Sequence, residues 1–162
     1  MASDWFILGI ALMFLRLDQQ VQVLADKGSP APDFRRLVNE RILPNGPDLP
    51  LLPARLSPIG SSSPLSAVVL RVLSAATSGN EAAGISQDDI RCLHDAVEMA
   101  LSIPPVVPHG NRNMGVDEIL FGRAGLLWAL LNIRTHKFNQ EIAIALSPVF
   151  EAIPRLVKVI VD

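Results

Sequence analysis

Residues 122–131 have the sequence Gly-Arg-Ala-Gly-Leu-Leu-Trp-Ala-Leu-Leu, the clearest helix signal in the chain. Its two glycines let neighbouring backbone approach closely, and the apolar run behind them has the spacing of a buried helix. A glycine pair without the lysine and preceding strand of a phosphate loop is weak evidence for an anion site. The pattern predicts a packing turn at Gly122 and Gly125, inside a helical stretch from Val116 to Arg134.

Apolar residues recur at helical spacing on both sides of this stretch. The further predicted helices cover Phe6 to Leu24, Asp33 to Leu43, Pro64 to Leu73, Ser86 to Leu101 and Phe138 to Asp162. Because proline interrupts a helix, the last segment should contain a helix ending near Leu146, another capped by Ser147, and a kink at Pro154. No segment shows period-two alternation bounded by hairpin turns, so the predicted fold class is all-α, built of helix hairpins.

Two helix starts and one stop are specified by local chemistry. Ser63 is a candidate N-cap in front of Pro64, whose missing N–H costs nothing at the first helical position. Ser86 and Asp89 resemble a capping box, with isoleucines at the two staple positions, 85 and 90. Pro104 and Pro105 should end that helix. Between residues 44 and 64 the chain is rich in proline and serine, which we interpret as a surface loop or linker.

An internal repeat supports the hairpin architecture. When Gly60 is aligned with Gly122, Leu65 pairs with Leu127 and Ala67, Val68 and Val69 pair with Ala129, Leu130 and Leu131. Gly9 leads a third, eroded copy. Each copy is a glycine-led turn that opens an apolar helix, and such a unit cannot bury its own apolar face alone.

Composition excludes several classes of protein. The 162 residues are 49% hydrophobic and 19% charged, with a net charge of −2 and a mean hydropathy of +0.34. This balance argues against disorder and provides no basic surface, so we expect no nucleic-acid partner. The apolar run from Trp5 to Leu15 is too short to cross a bilayer, and no transmembrane segment or signal peptide is expected. Cys92, the single cysteine, cannot form an internal disulfide and favours a cytoplasmic location.

The segment from Asp117 to Asn132, DEILFGRAGLLWALLN, resembles the glycine-led inner helix of the lanthionine synthetase C-like (LanC-like) family. Weaker similarity extends over Pro64 to Leu73 and Gly9 to Leu17. The resemblance implies an α/α toroid, two nested rings of helices, of which residues 1–162 would form an incomplete N-terminal portion in one partial domain. It also implies zinc-dependent addition of a cysteine or glutathione thiol to dehydrated serine or threonine residues, a reaction in which the metal deprotonates the thiol.

The resemblance also assigns roles to two residues. A carboxylate four residues before the first glycine is proposed to assist proton transfer in bacterial members, and Glu118 occupies that position. From the residues alone, Glu118 could instead be a first-turn acid favoured by the helix dipole. Arg123 could bind an acidic substrate group or could remain in water.

The zinc ligands of the family are two cysteines and a histidine, with the second cysteine adjacent to the histidine. This sequence has one cysteine and no Cys-His pair. Cys92 and His94 lie two apart on a predicted helix and therefore point to different faces. His109 in a loop and His136 near a helix end are interpreted as solvated. We therefore expect no metal site and no cofactor in this chain.

These observations lead to one main expectation and two competitors. The main expectation is a truncated, inactive LanC-like protein with peptide or glutathione as possible partners, prone to self-association because the edges of a partial toroid leave apolar surface in water. The first competitor is a non-enzymatic helical interaction module whose groove receives an amphipathic helix. A membrane-surface role for the first helix is disfavoured because its polar face is not basic.

Overall fold

The computed structural model of the chain describes residues 13–15, 17–18, 20, 33, 36–37, 50–59, 63–78 and 85–162. These residues are mostly helical, as the sequence predicts. The elements are a 3-10 turn η1 (Pro53–Arg55), helix α1 (Pro64–Ser78), helix α2 (Gln87–Ser102), strand β1 (Val106–His109), strand β2 (Arg112–Gly115), helix α3 (Arg123–Arg134), helix α4 (Gln140–Glu151) and helix α5 (Ile153–Val161). Within these residues no helix is both long and apolar enough to span a membrane.

The described parts of the first two predicted helices are short. Residues 13–15 and 17–18 are helical, and Leu15 is buried in the main core whereas Met13 is half exposed. Asp33 accepts a hydrogen bond from the Arg36 backbone N–H at 2.9 Å, in front of the helical residues 36–37. The rest of both helices, the Gly9 copy of the repeat and Gly60 lie outside the described residues.

Helices α2 and α3 form the centre of the core. Each of them contacts all four other helices, and both turn buried apolar side chains inward. The apolar side chains of these helices that have no exposed surface are Leu65, Val69 and Val72 of α1, Leu93, Ala96 and Ala100 of α2, Leu126, Ala129, Leu130 and Ile133 of α3, Leu146 and Val149 of α4, and Leu156 of α5. Burial of each large apolar side chain contributes about 1.5–3 kcal/mol, so this cluster is the main source of stability.

The starts of α1 and α2 follow the predicted local chemistry. Helix α1 begins at Pro64, and the Ser63 hydroxyl accepts a hydrogen bond from the Leu65 backbone N–H at 3.3 Å. The Ser86 hydroxyl caps α2 by accepting from the Asp89 backbone N–H at 3.0 Å. The Asp89 carboxylate, which would complete the predicted capping box, instead binds Arg71 of α1.

A β-hairpin occupies the segment that was expected to be a polar loop, so the all-α prediction is wrong in this detail. Strands β1 and β2 are antiparallel, with Val107 opposite Met114 and His109 opposite Arg112. Gly110 and Asn111 form the connection, and Gly110 has φ = +60°, a conformation that glycine adopts without a steric penalty. A two-residue Gly-Asn connection is typical of tight hairpins.

Helix α4 is not divided at Ser147, contrary to the prediction. Its N-cap is Asn139, whose side chain accepts from the Ile142 backbone N–H at 2.9 Å, and the helix runs from Gln140 past Pro148 to Glu151. Pro148 removes the donor for the Ile144 carbonyl, but both residues are exposed, so water can take the place of that donor. The break comes at Ala152, and Pro154 lies in the first turn of α5, where proline is tolerated.

Part of the proline-rich and serine-rich segment is buried, so its interpretation as a surface linker is wrong for residues 54–58. Ala54, Leu56, Ser57 and Pro58 are all buried, and Leu56 belongs to the main core. The backbone N–H groups of Leu56 and Ser57 both donate to the Phe121 carbonyl, at 2.8 and 3.1 Å. This segment therefore packs against the turn that precedes α3.

Candidate functional site: the glycine-led turn

The turn in front of α3 is closed by two backbone hydrogen bonds. The Gly122 N–H donates to the Glu118 carbonyl at 3.0 Å, and the Arg123 N–H donates to the Val116 carbonyl at 2.5 Å. Helix α3 begins only at Arg123, with Gly122 as its N-cap, so the prediction of a helical stretch from Val116 is wrong for residues 116–122. The connection between β2 and α3 folds back on itself before the helix starts.

Both glycines of the turn are in close contact with neighbouring groups, as expected of a packing turn. A Cβ atom on Gly122 would overlap the Val116 carbonyl, and one on Gly125 would overlap the Ser57 hydroxyl and the Ile119 carbonyl. Neither glycine has a positive φ, so the requirement comes from space and not from backbone conformation. Only glycine fits these positions without a shift of the surrounding backbone.

Ser57 holds the turn from the opposite side. Its hydroxyl donates to the Ile119 carbonyl at 2.6 Å and accepts from the Ile59 backbone N–H at 3.1 Å. Ser57 has no exposed surface. It lies 62 residues from Ile119, the same offset that relates Gly60 to Gly122 in the repeat. The two equivalent regions of the repeat are therefore in direct contact, and so are the helices α1 and α3 that follow them.

Arg123 is a buried structural residue. Its side chain is 1% exposed, with Nε donating to the Ala100 carbonyl at 2.8 Å and Nη1 to Asp117 Oδ1 at 2.8 Å. Nη2 donates to the Ile103 carbonyl. The expectation that Arg123 could remain in water is wrong, and a substrate-binding role receives no support because each of the three guanidinium nitrogens donates to a protein group.

The end of α2 explains why an arginine is needed there. A helical carbonyl normally accepts from the N–H four residues later, and for Ala100 that residue is Pro104, which has no N–H. Arg123 Nε supplies the missing donor to this carbonyl. A buried carbonyl without a donor costs about 1–3 kcal/mol, so Arg123 and Pro104 act together at this helix end.

Glu118 lies in the turn and is exposed, away from the first turn of α3, which contains no acidic residue. The helix-dipole interpretation of Glu118 is therefore wrong. The carboxylate that meets Arg123 belongs to Asp117, which the sequence analysis did not single out. Since Arg123 is buried and Glu118 is exposed, the structure does not join the two predicted site residues in one charged cluster. A proton-transfer role for Glu118 stays a prediction.

The single cysteine and the three histidines are spread over the fold. Cys92 is partly buried on α2, and burial, together with the charges of Asp89 and Asp95, raises the pKa of its thiol. His94 Nε2 lies 3.3 Å from the Ala145 carbonyl and connects α2 to α4. His109 is exposed on β1, and His136 is partly exposed after α3. Among the described residues no three His, Cys, Asp or Glu side chains are grouped as metal ligands.

Sequence reasoning missed an ion pair between α1 and α2. Arg71 Nε lies 3.0 Å from both carboxylate oxygens of Asp89, and Asp89 is only 3% exposed. The hydrogen bond to Asp89 raises the pKa of Arg71. Arg71 is the single charged residue of α1, which indicates that it has a special role. The sequence does not reveal its partner, which lies 18 residues away.

Comparison with known protein families, with curated proteins and with solved structures found no match to this chain.

Proposed function

We propose that this chain is the N-terminal portion of a LanC-like α/α toroid and that it has no thiol-addition activity by itself. The observation that supports the proposal is the contact between the two repeat-related regions, in which Ser57 binds the Ile119 carbonyl beside Gly125. In a toroid of repeated hairpins each unit packs against its neighbour, because one unit cannot bury its apolar face alone. The glycines then serve close helix packing, and Arg123 secures the end of α2.

The zinc chemistry of the parent family does not fit the residues of this chain. A metal-bound thiolate would need two cysteines and a histidine, whereas Cys92 is the single cysteine and no Cys-His pair occurs. No step of the reaction is therefore assigned to zinc held by this chain. Peptide and glutathione remain the substrates implied by the resemblance, and Glu118 the candidate proton donor, for a complete toroid.

The proposal is tested with purified protein, glutathione and a peptide that contains dehydroalanine. We expect the same rate of adduct formation as in buffer, with or without added zinc sulfate, and no stoichiometric zinc after dialysis. A protein-dependent rate that chelator abolishes would overturn the proposal. The Cys92→Ser variant is a necessary control, because the Cys92 thiol could itself add to the peptide and consume it without turnover.

A second candidate, a non-enzymatic interaction module, is supported by the exposed apolar stripe on α5. Val157 and Val161 lie four residues apart on one face of this helix and are 41% and 78% exposed. On this proposal the stripe associates with a second copy of the chain. Sedimentation velocity should then show concentration-dependent dimers that the double variant Val157→Lys with Val161→Lys abolishes. Glu98→Lys, an exposed change on α2, is the matched control and should leave the dimer intact.

A further inference from the structure

A cleft of about 130 Å³ lies between η1 and the β-hairpin. Its lining residues are Ala54, Arg55, His109, Met114 and Phe121. A cavity of about 150 Å³ holds a benzene molecule, so the cleft has the size of a single ring. Three of its residues are apolar and two carry cationic or protonatable side chains.

The strand register places the basic residue Arg112 beside His109. Cross-strand partners share a face of a hairpin, and so do residues two apart on one strand. Val107, His109, Arg112 and Met114 therefore project from the same face. Val107 of this face is buried together with Ala54 of η1 and Val116, which directs the face toward η1. Arg112, the cross-strand partner of His109, therefore projects from the same hairpin face as the cleft residues His109 and Met114.

The two polar side chains among the described residues that line the cleft are both basic. Arg55 is half-buried, and His109 and Arg112 are exposed. The described residues that line the cleft include no acid, and residues 106–115 contain none. The nearest acid along the chain after β2, Asp117, is already bound to Arg123. An anion entering the cleft therefore meets donors on its rim and an apolar base formed by Ala54, Met114 and Phe121.

We propose that this cleft binds a small organic anion, in which a carboxylate or phosphate group is attached to an apolar portion of about one ring. Arg55 and the hairpin residues His109 and Arg112 bind the oxyanion, with the planar Arg55 guanidinium offering paired donors. Phe121 and Met114 contact the apolar portion. This site lies outside the glycine-led turn and does not depend on the function proposed above.

The experiment uses isothermal titration calorimetry and amide chemical-shift mapping of the full chain. Phenyl phosphate and benzoate are the two anionic probes, and the tighter of them identifies the preferred oxyanion. Benzylamine has the same ring with the opposite charge, and inorganic phosphate lacks the ring. We expect saturable binding of at least one anionic probe, shifts centred on residues 54–55, 109–114 and 121, and no binding of benzylamine.

Three variants locate the binding energy. Arg55→Gln should weaken binding about tenfold, because a charge-assisted hydrogen bond is lost, and His109→Gln should weaken it to a smaller extent. Arg155→Gln, an exposed change on α5, is the matched control and should change affinity less than twofold. His109 is exposed at the hairpin, so its variant tests the proposal even if Arg55→Gln impairs folding. Equal binding of benzylamine, no saturable binding of either anion, or unchanged affinity in both cleft variants would overturn the proposal.

Discussion

Arg123 Nε donates to the carbonyl oxygen of Ala100 at 2.8 Å, across the interface between α3 and α2. This carbonyl would remain without a partner because its helical donor position is occupied by Pro104. Arg123 of the glycine-led turn thus supplies the missing hydrogen-bond donor at the C-terminal end of α2. Its charge is balanced by Asp117 at 2.8 Å, one third of whose side-chain surface is exposed.

Replacement of Arg123 by methionine should lower the free energy of unfolding by about 3 kcal/mol, because the Ala100 and Ile103 carbonyls and Asp117 lose their donor. Urea denaturation followed by circular dichroism measures the effect. Arg134→Met, an exposed change at the end of the same helix, should cost less than about 0.5 kcal/mol. Equal effects of the two variants would contradict the structural role of Arg123.

Replacement of Gly125 by alanine should destabilise the fold by about 2–3 kcal/mol, since the new methyl group overlaps Ser57 and the Ile119 carbonyl. Gly115→Ala is the matched control, because a Cβ at that position meets no atom within 4 Å. Ser57→Gly alone removes two hydrogen bonds of the turn, so adding it to Gly125→Ala should cost less than the two single changes summed, because only the overlap with the Ile119 carbonyl then remains. Thermal unfolding of these variants and the parent protein checks the order, and a neutral Gly125→Ala variant would refute the close approach.

The ion pair between Arg71 and Asp89 should show strong coupling in a double-mutant cycle. Arg71→Met leaves the Asp89 carboxylate buried without its main partner, so it should cost about 3 kcal/mol, more than Asp89→Asn. We expect a coupling energy of about 1–3 kcal/mol from urea denaturation of the two single variants and the double variant. Additive effects would indicate that the pair makes no net contribution.

The Cys92 thiol should react with iodoacetamide at a pH midpoint above its ordinary value of 9.0, because burial raises its pKa and Asp89 and Asp95 add to the effect. Asp95→Asn should lower the midpoint, whereas Glu98→Gln, also exposed on α2, should not. In urea the midpoint should return to the ordinary value. A native midpoint at or below 9.0 would contradict the burial of this thiol.

The raised pKa of Cys92 also makes the free energy of unfolding fall at alkaline pH. The unfolded chain releases the thiol proton at a lower pH than the folded protein does, so above about pH 9 the folded state binds more protons. This contribution is fully present below the unfolded pKa and is lost as the pH rises toward the folded pKa. The Cys92→Ala variant should therefore lose less stability than the parent protein over this range.

Features that depend on neighbouring residues were predictable from the sequence. The α1 start at Pro64, the Ser86 cap and the stop before Pro104 each follow from side chains within four residues of the helix end. The hairpin was also signalled locally, by the Gly110-Asn111 pair, but its strands of four residues are too short to show clear alternation. Whether Pro148 ends α4 could not be predicted from its neighbours, because proline is tolerated only where the Ile144 carbonyl that loses its donor faces water.

Features that depend on distant partners were not predictable in the same way. The charge of Arg123 gave no indication that three donors would be used inside the protein, since Ala100 and Ile103 contribute only backbone oxygens. The burial of Ser57 has the same origin, because its partner Ile119 offers a carbonyl. Every residue type carries a backbone carbonyl, so such acceptors cannot be recognised from the sequence. The two glycines of the turn were the sequence feature that indicated close backbone packing.

The 62-residue separation between Ser57 and Ile119 also bears on the order in which the protein assembles. Closing so long a loop costs chain entropy before any contact compensates for it, and contacts between distant residues slow folding. The hairpin and the α2–α3 region can form from nearby residues, whereas the buried segment around Leu56 must arrive from far along the chain. Contact order alone therefore favours a late docking of this segment against the turn in front of α3.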